Sequence, residues 1–97
     1  MSETTTQFIT VRLPGILRDH CAGRTRLLVE AGDVRALLQR IERDYPSLHR
    51  NLCDETGTLR RHLNLFVNSD NTRDLAGVDT ALAPGDEVTI LPAVSGG

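Results

Sequence analysis

The sequence ends in two glycines, Gly96 and Gly97, which follow closely on an apolar, β-rich segment. Glycine has no Cβ, so a diglycine can pass through a narrow channel in which any side chain would clash. The α-carboxylate of Gly97 is then the reactive group. An ATP-using partner can convert it to an acyl adenylate, and a sulfur nucleophile can displace AMP and leave a thiocarboxylate. Val94 and Ser95 complete this tail. The alternative is a frayed end or an expression scar, because chain termini are often disordered.

A second candidate for chemistry is the pair His49 and Cys53, whose spacing of four places two metal ligands on one face of a helix. No second pair completes a zinc site, so we expect no bound metal and no bound cofactor. Cys21 and Cys53 form no CxxC pair, and both are expected to be buried free thiols. Ser95 has no base at a recognisable spacing that would make it a nucleophile.

Composition narrows the functional classes. The 97 residues carry 11 basic side chains, all of them Arg, against 13 acidic ones, for a net charge of −2. This balance argues against a general nucleic-acid binder. No apolar run approaches the roughly 18 residues of a membrane span, and the polar residues 1–7 do not resemble a signal peptide. We expect one domain over residues 1–97, in the cytoplasm, with a disordered lead over residues 1–7 and a flexible tail over residues 92–97.

Hydrophobic periodicity predicts the elements that hold the tail. Alternating apolar residues predict strands over 8–13, 25–30, 63–68 and 87–91. Asp33 is the expected N-cap of one helix, which Pro46 ends. A turn is expected over residues 69–71, a type II turn over residues 83–86, and a short strand or helical turn over 73–82. The predicted core-facing positions are Ile9, Val11, Leu13, Leu27, Val29, Val34, Leu37, Leu38, Ile41, Tyr45, Leu63, Leu65, Val67, Val88 and Ile90.

The same alternation places Phe8, Phe66 and Leu91 on the opposite face of the sheet. Exposed apolar residues that lie near one another would form a docking patch for a partner, whereas isolated ones would carry no function. The element order β-β-α-β-(short element)-β indicates an α+β domain, with a mixed sheet covered on one face by the main helix. It is a β-grasp if the last strand lies parallel to the first, a pairing that periodicity does not decide.

The segment from Gly85 to Gly97, which joins turn, strand, proline and diglycine, resembles the C-terminus of ubiquitin-like sulfur carrier proteins. That family includes the small subunit of molybdopterin synthase and the thiamin sulfur carrier, and the resemblance extends over about residues 9–97. The branch that serves the O-phosphoserine-dependent route to cysteine is the most similar. The segments of this chain that resemble that branch are residues 16–20, 66–68 and 88–94.

The resemblance implies a β-grasp fold and a protein cosubstrate that is not itself an enzyme. It implies that an E1-like enzyme adenylates Gly97 with ATP and that a rhodanese or persulfide donor supplies the sulfur. Gly96 would be the narrow residue that passes through the partner's channel next to Gly97, and Ser95 and Val94 would follow it into the channel. Phe66, Leu91 and Phe8 would dock the partner. In the cysteine branch, a PLP-dependent cysteine synthase then receives the sulfur, and a zinc-dependent JAMM-type peptidase releases the cysteine.

Three alternatives stay open at the level of sequence. The carrier can deliver sulfur to molybdopterin, thiamin, a thiolated tRNA or a sulfur-containing natural product. A protein modifier would instead join Gly97 to lysines of other proteins. A plain binding module would leave the tail idle.

Overall fold

A computed structural model describes residues 8–93 of the chain. Its regular elements comprise five strands and two α-helices, in the chain order β1 (Phe8–Arg12), β2 (Arg26–Glu30), α1 (Val34–Asp44), α2 (Pro46–Leu52), β3 (Leu63–Val67), β4 (Asp70–Asn71) and β5 (Glu87–Pro92). Three 3-10 helices lie in the connections, at Gly15–Cys21, Thr72–Asp74 and Gly77–Asp79.

The five strands form one mixed sheet in the order β2-β1-β5-β3-β4. β1 and β2 form an antiparallel hairpin, with Val11 opposite Leu27. β5 lies parallel to β1, with Val11 opposite Val88, and antiparallel to β3, with Leu65 opposite Ile90. The parallel pairing of the first and last strands confirms the β-grasp fold. It also makes β5 a central strand, supported on both sides.

The core lies between the inner face of the sheet and the two helices. The inward residues of the strands are buried, and Ile9, Val88 and Ile90 among them are fully so. Val34, Leu37, Leu38 and Ile41 form the buried stripe of α1, while Tyr45 is only partly buried at its end.

The N-terminus of α1 is capped by Asp33, whose Oδ1 accepts a 2.8 Å hydrogen bond from the Ala36 amide. This bond satisfies one of the free first-turn donors, as the sequence predicts.

Two elements differ from the sequence prediction. Pro46 ends α1, but it also begins α2, because a proline at the first helical position gives up no hydrogen bond and has the right φ. Leu48 and Leu52, four residues apart, are fully buried on the inner face of α2. Residues 70 and 71, expected to be a turn, form the short edge strand β4 on β3.

Among residues 8–93, no helix combines the length and hydropathy needed to cross a bilayer.

Candidate functional site

The predicted reactive tail, Val94, Ser95, Gly96 and Gly97, lies outside the described residues. The structure does describe the strand from which it departs. β5 pairs with β3 as far as Pro92, which lies opposite Leu63. One residue further, the Ala93 amide donates a 2.7 Å hydrogen bond to the carbonyl of His62. The backbone is therefore fixed to the body of the protein up to four residues before Gly97. Residues 92 and 93, expected to belong to a flexible tail, are instead held by the backbone of β3 and of His62.

The start of β5 is set by two turns that meet there. The Asp86 amide donates to the Ala83 carbonyl at 3.0 Å, and Gly85 has φ +90°, as a type II turn requires at this position. Asn68, at the end of β3, has φ +58° and exchanges hydrogen bonds with Glu87: its amide donates to the Glu87 carbonyl at 2.7 Å, and its Oδ1 accepts from the Glu87 amide at 3.1 Å. These bonds fix the register of β5, and the register fixes where the tail begins.

The outer face of the sheet brings two of the three predicted docking residues together. Phe66 lies opposite Thr89, and Asn64 lies opposite Leu91, so Phe66 and Leu91 are diagonal neighbours on adjacent strands. Side chains in this relation are within reach of each other. Leu91 is 43% exposed and Phe66 is partly buried. They form a small apolar surface, here called the exit patch, beside the point where β5 ends.

Phe8 is exposed but lies at the other end of the same face. Its carbonyl accepts a hydrogen bond from the Gly85 amide, which precedes β5. From Gly85 to Leu91 is six residues of nearly extended chain, or about 20 Å. Phe8 is instead a diagonal neighbour of Leu28, an exposed residue of β2 that sequence reasoning did not select. The signal was present, since Leu28 alternates with the inward residues Leu27 and Val29.

Three arginines surround the exit patch, and sequence reasoning did not single them out. Arg12 lies opposite Thr89 on the parallel neighbour of β5, and Arg26 lies opposite Arg12 on β2. Arg73, which follows β4, donates from Nη1 to Asn64 Oδ1 at 2.8 Å and from Nη2 to the Leu63 carbonyl at 3.1 Å. Alternation along β1 and β2 predicts the first two as outward residues, whereas only the fold brings Arg73 to this place.

The two cysteines do not form a reactive site. Cys21 and Cys53 are both buried and free. Burial raises the pKa of the Cys53 thiol to about 11 and also raises the pKa of Cys21. A thiol with such a pKa keeps its proton at neutral pH and is a poor nucleophile and a poor ligand. Within residues 8–93, no group of three potential ligands is placed to hold a metal ion, and His49 and Cys53 stand without a third partner.

The chain is similar to several characterised proteins. The sequence profile of the ThiS family matches residues 11–97. The sulfur carrier protein CysO of Mycobacterium tuberculosis is 38% identical over 91 residues, which are 92% of this chain and 98% of that protein. Its crystal structure has a TM-score of 0.82 to this chain, with coverage of 89% and 99%.

Two further solved structures have the same fold. A chain of the BexX/CysO complex of Amycolatopsis orientalis is 32% identical, with a TM-score of 0.81 and coverage of 92% of this chain and 99% of that one. The small archaeal modifier protein 1 of Methanosarcina acetivorans is 32% identical, with a TM-score of 0.78 and coverage of 97% and 100%. Because the family profile and the similar proteins cover nearly the whole chain, the chain belongs to the ThiS family of ubiquitin-like sulfur carrier proteins.

Proposed function

We propose that this protein carries sulfur as a thiocarboxylate on Gly97 and delivers it for the synthesis of cysteine from O-phosphoserine. The observation that carries the proposal is the 38% identity to a protein named sulfur carrier CysO over 92% of the chain. The architecture of β5 supports it: a central strand, hydrogen-bonded as far as Ala93, ends four residues before a diglycine. A cytoplasmic location suits this role, because the ATP and the sulfur donors it needs are found there.

The chemistry takes place at the carboxylate of Gly97. A carboxylate oxygen first attacks the α-phosphorus of ATP on an E1-like enzyme, and pyrophosphate leaves. The terminal sulfur of a persulfide, on a rhodanese or another donor, then attacks the carbonyl carbon of the acyl adenylate; AMP leaves and an acyl disulfide forms. A thiol of the partner enzymes attacks the donor's sulfur in that S–S bond, forms a disulfide with it and releases the thiocarboxylate. The protein supplies no catalytic side chain to these steps. It contributes a tail that fits a narrow channel and a rigid body that presents the tail at a fixed distance from its docking surface.

The exit patch is the proposed docking surface for the activating enzyme. Phe66 and Leu91 lie beside the end of β5, so a partner that covers them also has the tail in front of it. Aromatic residues such as Phe66 are enriched in the buried cores of protein interfaces. Phe8 lies about 20 Å away along the sheet, so its docking role would require a second contact, shared with Leu28. The later partners in the proposed sequence are a PLP-dependent cysteine synthase and a zinc-dependent JAMM-type peptidase.

Intact-mass spectrometry of the protein from its native host tests the proposal. Under sulfur-replete growth, a fraction of the chain should have one oxygen replaced by sulfur, and a second fraction should carry one additional cysteine in amide linkage at Gly97. A chain that lacks Gly97 should fold normally and show neither species, because its carbonyl would end one residue short. Normal activation of that deletion variant would refute the carrier mechanism.

A protein modifier is the second candidate, favoured by the TM-score of 0.78 to a small archaeal modifier protein. Both functions need Gly97 to be activated, so activation does not distinguish them. A modifier would appear in the native host joined through Gly97 to lysines of larger proteins. High-mass conjugates without any sulfur-bearing form would replace the carrier proposal by the modifier.

A further inference from the structure

The tail-exit end of the sheet has a strongly basic pocket on one side of β5. A cavity of about 230 Å³ lies against Ile90 and Leu91 and is lined by Arg12, Arg18 and Arg26, which come from three different segments. None of the described residues that line it is acidic. Arg18 is fixed, because its Nε donates to the Leu13 carbonyl at 3.2 Å. Three arginines therefore line one cavity next to the strand that carries the tail.

Arg73 stands on the other side of the exit patch. Its two terminal nitrogens donate to Asn64, to the Leu63 carbonyl and, at 3.5 Å, to the Arg61 carbonyl. A guanidinium has five N–H donors, so these three contacts leave two free for a partner. Because the side chain is already held in place, it loses little conformational entropy when it binds.

The basic residues are separated from the acidic ones along β5. Glu30, Asp70, Asp86 and Glu87 lie near the start of the strand. Arg12 and Arg26 lie level with Thr89 in its middle, and Arg73 lies beside its second half. The one ion pair between the two groups, Arg12 to Glu87, is long at 3.6 Å and exposed on both sides. Such a pair contributes little, so Arg12 is free to exchange it for another carboxylate. The chain as a whole has a net charge of −2, so the positive charge at the exit is local.

This arrangement has the composition of a protein interface. In the row across the sheet, Arg26, Arg12, Thr89 and Phe66 occupy successive strands, which is three steps of about 4.8 Å, or about 14 Å in all. Aromatic residues and arginines are both enriched in protein interfaces. Guanidinium groups bind carboxylates through two parallel hydrogen bonds, which fixes orientation as well as charge.

We propose that Arg12, Arg26 and Arg73 are the electrostatic part of the docking surface, and that the enzyme that receives the tail meets them with carboxylates around the mouth of its channel. This rests on the proposed function, in that the enzyme is the one that activates Gly97. The apolar exit patch then supplies the contact area, and the arginines determine the orientation in which the tail enters. Opposite charges around the channel also accelerate the encounter.

The test measures the dissociation constant of the carrier for the E1-like adenylating enzyme of the same genome by titration calorimetry, with ATP–pyrophosphate exchange in parallel. The double variant Arg12→Gln/Arg26→Gln removes two of the arginines, neither of which holds a core contact. The matched control is Arg35→Gln/Arg43→Gln, which removes the same charge from two exposed arginines of α1, on the opposite layer.

At about 0.05 M salt we expect Arg12→Gln/Arg26→Gln, here called the exit variant, to bind about tenfold more weakly than the wild type, and the control to bind like the wild type. The difference should disappear near about 0.5 M salt, where charges more than about 5 Å apart are screened. Arg73→Gln should weaken binding as well, and its melting temperature shows whether loss of the Asn64 contact also affects the fold.

An exit variant that binds like the wild type at low salt would overturn the proposal. So would an equal loss in the control, because the effect would then follow net charge and not position. The proposed function fails separately, if the wild type binds but supports no pyrophosphate exchange; in that case the dissociation constants still decide the role of the arginines. No binding by the wild type would overturn both.

Discussion

Leu91 and Leu65 offer a matched pair of substitutions that separates docking from stability. Leu91 is 43% exposed at the exit patch, and Leu65 is 1% exposed on the inner face of β3. Both are leucines in the two paired central strands, so Leu→Ala removes the same three carbon atoms from opposite faces of one sheet. The pair therefore tests whether the faces have been assigned correctly.

The expected costs follow from burial. Three fully buried carbons contribute about 0.8 kcal/mol each, and the cavity left behind brings a core Leu→Ala to about 3 kcal/mol. Leu91 buries little more than half of its side chain and leaves no closed cavity, so Leu91→Ala should cost about 1 kcal/mol. In a domain of this size, 1 kcal/mol corresponds to about 4–8 °C in melting temperature. Leu65→Ala should therefore melt about 12–24 °C below the wild type, and Leu91→Ala about 4–8 °C below it.

The activity assay should rank the two variants in the opposite order. ATP–pyrophosphate exchange, measured well below both melting temperatures, should show a KM for Leu91→Ala at least about fivefold above the wild type, since truncating an interface hot-spot residue costs more than about 1 kcal/mol. Leu65→Ala should keep the KM of the wild type. Equal KM values for Leu91→Ala and wild type, or equal melting losses in the two variants, would refute the assignment of Leu91 to a docking surface.

Three further predictions concern the tail, the turn before β5 and the thiols. Gly96→Val should fold and melt like the wild type but should not be adenylated, because a β-branched side chain is too wide and stiff for the channel; an unchanged adenylation rate would show that no narrow channel exists. Asn68→Ala should lower the free energy of unfolding, measured in urea, by about 2 kcal/mol, because the variant loses the side-chain hydrogen bonds to residues 86 and 87 and alanine must adopt a left-handed φ. Asn68→Gly should lose less, because glycine adopts this φ without strain. Iodoacetamide at neutral pH should leave Cys21 and Cys53 unmodified in the folded protein and should alkylate both in urea. The reason is that burial raises the pKa of both thiols, that of Cys53 to about 11. Rapid labelling of the folded chain at either cysteine would contradict their burial.

Much of the fold was predictable because its elements are encoded locally. The alternation of apolar residues identifies β1, β2, β3 and β5 and their inward faces, and Asp33 identifies the start of α1. Each of these signals depends on neighbours within a few residues of one another. Helix α2 was missed because Pro46 ends one helix and begins the next, and a single proline has the same sequence signature in both roles.

The sequence alone also determined the chemistry that is available at the tail. The diglycine and its carboxylate are properties of covalent structure, and no fold is needed to see that they suit a narrow channel. Only the tertiary structure decided what surrounds the exit, because the relevant neighbours are distant in sequence. The pairing of β5 with β1 and β3 places Leu91 beside Phe66 and Arg12, and it leaves Phe8 at the other end of the sheet. The chain that returns after β4 adds Arg73 to this surface. Periodicity tells which face of a strand a residue occupies, but strand order and register, which arise from long-range packing, decide which residues share a surface.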